Sequence, residues 1–133
     1  MAYLCDGKRI EAWMTGTVSP DGTLALAGSD GAHLTARRAN GHVSGYVWPA
    51  PGKKWSFDLV KASGHAAIYR AASGKKLRAT WVVLPDGTQT GILDRDGTPG
   101  PAPVLDTAKG NAAIDGTDLT ATAITAASNI TGF

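Results

Sequence analysis

Three histidines, one cysteine and eleven carboxylates are the side chains of this 133-residue sequence that could move a proton, attack an electrophile or hold a metal. Their spacing argues against each of these uses. If Asn40-Gly41 is a two-residue hairpin turn, His33 and His42 share a face but stand at opposite ends of the hairpin, roughly 15 Å apart. They cannot chelate one ion. Cys5, in the apolar run "YLC", reads as a small buried hydrophobe rather than a nucleophile, and a lone cysteine forms no internal disulfide. No serine sits in a Gly-x-Ser-x-Gly elbow, and the glycines come one or two at a time, so no phosphate-cradling loop is present. Six carboxylates (Asp6, Asp21, Asp30, Asp86, Asp96, Asp115) precede glycine, and turn formation explains them. Of the others, only Asp94 has a near neighbour, Asp96. "DRDG" supplies the first positions of a calcium loop, but Pro, Gly and Ala follow and no closing Glu appears. The expectation is no catalytic residue, no metal and no cofactor. A small hydrolase, which would have to gather His65 or His33 with a carboxylate in a pocket, is one alternative.

The constellation that could bind something lies on one side of the same hairpin, where His33, Arg37, Tyr46 and Trp48 are the candidate binding residues. Aromatic rings beside a cation and hydroxyls can stack on sugars or anchor a protein partner. The competing expectation is that this face simply meets a second sheet. Trp13 falls on the polar side of its strand with Arg9, Glu11, Thr15 and Thr17, so it and Trp48 should be buried together or exposed together.

The elements that position these residues are announced by turns. Six Asp-Gly pairs and Asn40-Gly41 punctuate the chain, separated by segments too short and too rich in Gly and Thr for helices. Their spacing predicts an antiparallel meander of about ten strands. The Asn40-Gly41 turn pairs Ala39 with His42, Arg37 with Ser44, Thr35 with Tyr46 and His33 with Trp48; the opposite face collects Leu34, Ala36, Val43, Gly45 and Val47, with Arg38 near its rim. Three-residue loops at Ser29-Asp30-Gly31, Pro20-Asp21-Gly22 and Pro85-Asp86-Gly87, each read as a type I turn closed by a left-handed Gly, keep the apolar residues together. One apolar face is thereby predicted from Ile10 to Val47 over four strands, and Trp81 is set opposite Gly91, where its ring can cover bare backbone. Beyond Asp96-Gly97 three prolines in five residues exclude a central strand. Residues 1–98 are expected to form the β body. Residues 99–133 are expected to form a Pro-rich connector and an extended arm that either adds edge strands or lies along a neighbouring subunit.

Composition limits the core and the partners. Leu, Ile, Val and Phe number only 25, against 22 Ala and 17 Gly, so burial from one chain is thin and contact with another subunit would supplement it. The doubled bases Lys8-Arg9, Arg37-Arg38, Lys53-Lys54 and Lys75-Lys76 are scattered and the net charge is +2, which does not make the basic stripe that nucleic acid needs. No apolar run is long enough to span a membrane, and because Met1 leads straight into "AYLCDGKRIEAW", which reads as strand and turn, the expectation is a chain without a signal peptide.

The strings "YLCDGKRIEAW", "DGAHLT", "YRA" and "WVVLPDGTQTGIL", with the DGxLxL pattern, resemble an uncharacterised all-β domain of secreted actinobacterial proteins over roughly residues 2–106. That resemblance implies no assigned activity. Without a leader, and with its Ala/Thr-rich end, the chain would suit a virion protein of an actinobacterial phage. The expectation is therefore an all-β sandwich or partly open barrel with a structural or adhesive role, such as a capsid decoration or tail accessory subunit. Its partners would be other protein subunits, in a homo-oligomer or a capsid or tail lattice, and its place the virion or the cell surface. A glycan-binding surface module is the other alternative.

Overall fold

A computed structural model describes residues 1–64, 66–125 and 128. Those residues form thirteen β-strands and no helix, so the all-β antiparallel expectation holds. All seven Asx-Gly glycines adopt positive φ, from +70° to +84°. The chain divides into two compact units elsewhere than at residue 98: one of residues 1–4 and 11–61, the other of residues 5–10 and the described residues from 62 onward.

The first unit is a six-stranded sheet in chain order: β1 (Ala2–Cys5), β2 (Glu11–Val18), β3 (Thr23–Gly28), β4 (His33–Ala39), β5 (His42–Trp48) and β6 (Trp55–Val60). The pairings Ala39 with His42 through His33 with Trp48, and Leu24 and Leu26 with Ala36 and Leu34, are those the turns predict. At Ser29-Asp30-Gly31 the register and the bulge hold, the Gly28 N–H donating to Ala32 O at 2.8 Å, but the turn type differs. Asp30 and Gly31 both have positive φ, the I′ form whose twist matches the strands. At Pro20-Asp21-Gly22 only Gly22 is left-handed, as expected. Ala12, Met14, Leu26, Ala32, Leu34, Ala36 and Val47 form the core, with Leu24, Val43 and Phe57 packed against it. The predicted face holds at Val47 but falls short at both ends of its β2 portion. Val18 is exposed, and Ile10 lies outside this unit because Asp6 Oδ1 accepts the N–H groups of Lys8, Arg9 and Ile10 and holds them in a loop.

The sheet curls. Gly45 in β5 lies so close to Thr35 O and to Ala36 that no Cβ would fit, which lets the ribbons bend tightly there. Residues of the two edge strands, Ala2 and Leu4 of β1 with Phe57 and Leu59 of β6, consequently line one common cavity.

The second unit is a five-stranded sheet in the order β10 (Thr98–Pro101), β9 (Gln89–Arg95), β8 (Leu77–Val83), β7 (Ala67–Ser73) and β13 (Thr122–Ala123), with the hairpin of β11 (Asn111–Ile114) and β12 (Thr117–Thr120). Trp81 is 1% exposed and faces Gly91 in the register, as predicted, and its Nε1 donates to Pro103 O at 2.7 Å. The proline-rich segment is an edge strand, the one sheet position where missing N–H groups cost little. Of the segment expected to be an arm, the described residues are built into this unit: Leu105, Ala112, Ile114 and Ala121 belong to its core, and β13 adds an edge to β7. The expectation of an arm along a neighbour, where it falls on residues 126, 127 and 129–133, lies outside the described residues.

Candidate binding face

The outer face of the first sheet is a grid of cross-strand rows. One row runs through Thr15, Ala27, His33 and Trp48; the next through Thr17, Ala25, Thr35, Tyr46 and Ser56; a third through Thr23, Arg37, Ser44 and Asp58. Small residues on β2 and β3 make a low floor beside the aromatics of β4 and β5. His33 lies flat on Trp48, ring centroids 4.5 Å apart and planes 11° from parallel, and its Nδ1 is 2.9 Å from Gly31 O. Tyr46 stands 6.2 Å from Trp48, tilted by 52°.

A fourth member, Lys54, is not evident in the sequence reading. Its Nζ sits 4.0 Å over the Tyr46 ring and 5.2 Å from the Trp48 centroid. The β5–β6 register explains the placement: Val47 faces Trp55 and Tyr46 faces Ser56, so Lys54, one residue before β6, returns opposite Trp48. The signal was the pair Lys53-Lys54 followed by the alternating "WSFDLV"; what hid it was the Pro49–Lys54 connection, whose length does not announce a register. Of the four expected binding residues, His33, Tyr46 and Trp48 form one ladder. Arg37 shares their face but lies one row beyond Tyr46.

Tyr46 is 47% exposed, whereas Trp48 and Trp13 are both half-buried. Trp13 packs on Tyr3 with centroids 4.5 Å apart, and the Tyr3 hydroxyl donates to Glu11 Oε2 at 3.0 Å. His42 is also paired, with Asp58 Oδ1 2.7 Å from its Nδ1, an exposed contact that places Asp58 diagonally across the β5–β6 ladder. The side chains of both residues are more than half exposed, and both stand on strands. His65, the other histidine considered for hydrolysis, lies outside the described residues. Among the described residues no three of His, Cys, Asp or Glu come together as metal ligands. Among the described residues no helix is long and apolar enough to cross a membrane.

The carboxylates whose acidity is shifted sit in turns, away from this face. Hydrogen bonds from the N–H groups of Thr23 and Thr88 hold Asp21 and Asp86 below the usual carboxylate range, and that of Lys109 does the same for Asp106. The Arg95 guanidinium lowers Asp115. Burial pushes the Asp6 carboxyl up, but three backbone N–H donors outweigh it and leave it low. These are the marks of turn building, and none of them creates an acid or base at neutral pH.

Comparison of the chain with family models, curated proteins and solved structures brought no match.

Proposed function

We propose that the chain is a non-enzymatic structural or adhesive β module that assembles with other protein chains through the His33–Trp48–Tyr46–Lys54 ladder. The observation that carries this reading is the ladder's preorganisation: two aromatics and a cation are held by stacking and cation–π contact before any partner arrives. Tyr, Trp and basic side chains already fixed in place lose little entropy on docking, which is the condition for an anchor point. With Lys54 and Arg37 on one face, the complementary surface is acidic or rich in carbonyl oxygens. A capsid decoration or tail accessory subunit is the setting that fits, and it implies a virion or cell-surface location.

The half-exposed Tyr46 beside Trp48 is the observation favouring a glycan as partner. A sugar, however, stacks on a free ring face. Here His33 takes one face of Trp48, and Lys54 stands over Tyr46. Lys54→Ala separates the two readings: it should weaken a protein partner and improve access for a sugar.

Sedimentation velocity over a wide concentration range tests self-assembly. Wild type should associate with rising concentration, and Trp48→Ala should weaken association by about tenfold or more, the usual consequence of losing an aromatic anchor. A wild type that stays monomeric throughout overturns self-assembly.

A further inference from the structure

The inner face of the first unit offers a second site, independent of the ladder. The cavity at one end of the curled sheet measures about 440 Å³ and is walled by Leu24, Leu26, Leu34, Val43, Phe57 and Leu59. A neighbouring space of about 140 Å³ shares Leu34, Phe57 and Leu59 in its wall and reaches down to Met14 and Val47. Together they fall within the roughly 300–1,000 Å³ of small-molecule sites, whose lining is predominantly apolar. The mouth is open, since Leu59 and Val60 are 57% and 69% exposed.

Two cations stand where the apolar register would call for hydrophobic residues. On β4 the inward series is Leu34, Ala36, Arg38, and on β6 it is Phe57, Leu59, Lys61, the last just past the strand's end. The register links them: Arg38 faces Val43, and Val43 faces Leu59. Both line the cavity mouth. Among the described residues neither Arg38 nor Lys61 is in an ion pair; Asp58, the carboxylate nearest in the register, lies on the opposite face of the sheet and is engaged there by His42. The site is thus an apolar trough with two positive charges, outside any ion pair among the described residues, in its lining.

We infer that this trough binds a free single-chain amphiphile with an anionic headgroup, its chain along Leu24, Leu34 and Phe57 and its head between Arg38 and Lys61. The hydrophobic wall recognises the tail without regard to its ends; the cations select the charge.

Laurate, below its micellar concentration, is the probe, titrated into the full chain and followed by amide resonances. Saturable one-to-one binding is expected, with shifts confined to the strands lining the trough. The double variant Arg38→Ala/Lys61→Ala removes exposed side chains, and circular dichroism confirms its fold. It should weaken laurate about tenfold or more, the scale of a lost charge-assisted hydrogen bond, while binding of dodecanol changes less than about twofold. Trp48→Ala should alter neither ligand. The inference is overturned by absent saturation, by shifts outside the trough, by equal loss of laurate and dodecanol in the double variant, or by unchanged laurate binding in it. Binding to anionic phospholipid vesicles without binding to laurate overturns it as well, because the site would then be a membrane contact rather than a pocket.

Discussion

Two glycine-to-alanine substitutions nine residues apart should change stability in opposite directions. Gly91, in the interior strand β9, lies opposite Trp81; a Cβ there would stand 2.5 Å from Thr80 O, 2.9 Å from Trp81 Cδ1 and 3.1 Å from Ala102 Cβ. None of these neighbours yields easily. Thr80 O is backbone in the middle of β8, and the Trp81 ring is buried and fixed by its hydrogen bond to Pro103 O. Overpacking of this kind costs about 1–3 kcal/mol, and the upper part of that range applies where backbone must shift. Restricting the unfolded chain returns about 0.4–1 kcal/mol, leaving a net loss of about 2 kcal/mol. Gly100 is the control. It pairs with Leu93 on edge strand β10, has ordinary negative-side backbone and has no atom within 4 Å of a built Cβ. Only the unfolded-state term remains, so Gly100→Ala should stabilise by about 0.4–1 kcal/mol.

Urea unfolding followed through the Trp81 indole N–H resonance reads the core that both glycines border. With a slope of about 1–3 kcal/mol/M, the two midpoints should separate by about 1 M or more, Gly91→Ala below wild type and Gly100→Ala above. A Gly91→Ala midpoint equal to wild type would mean that the Trp81 ring is not fixed over the strand, and would refute the packing argument. So would equal loss in both variants.

Two further outcomes follow from the electrostatics. The lowered carboxylates, Asp6, Asp21, Asp86, Asp106 and Asp115, have native pKa values beneath the 3.8 of the free group. They therefore contribute stability that is complete above about pH 5 and is lost as pH falls through the native values below about 4. Urea midpoints between pH 2 and 8 should be flat and then drop, and Asp21→Ala/Asp86→Ala should shallow the drop; a decline beginning near pH 6.5 would point to histidine instead. Arg78→Ala should be costlier than Arg95→Ala. Asp94, 9% exposed, keeps only the Gly97 N–H after losing its 2.7 Å contact with Arg78, for about 1–3 kcal/mol, whereas Asp115 is freely hydrated when Arg95 is removed. Equal thermal shifts for the two variants would contradict that ranking.

Local order was legible wherever an Asx-Gly turn stands beside the strands it joins. Asn40-Gly41 determines every pair from Ala39–His42 to His33–Trp48 because a two-residue turn leaves one register that keeps apolar side chains on one face. Turn type was legible only where proline precedes Asp-Gly: Pro20 and Pro85 preset the first turn position and leave Asp21 and Asp86 at negative φ, whereas Asp30, which follows Ser29 and was expected to adopt the same turn, has a φ of +53°. What the residues did not announce depends on a side chain capturing the backbone nearby or on contacts remote in sequence. Ile10 reads as the start of a strand by alternation, yet the three N–H groups held by Asp6 stop the strand at Glu11. Leu105 and Ile114 are too widely separated by small and polar residues to look like core, and both are about 2% exposed. Lys54 reaches its ladder through a connection whose proline and glycine fix its path only in three dimensions.

The shortage of large aliphatic residues has a different consequence in each unit. In the second, one tryptophan supplies the missing volume, filling the space over Gly91 that alanines on β7 and β8 leave unfilled. In the first, three of the seven core residues are Ala12, Ala32 and Ala36, and the sheet they line is curved rather than flat. A curved sheet faced with small side chains encloses more volume than those side chains occupy, and close packing cannot be restored without a filler. The hollow behind Leu34 and Phe57 therefore follows from composition and curvature together. An Ala-rich composition is, on this argument, the origin of a binding cavity as much as of a thin core.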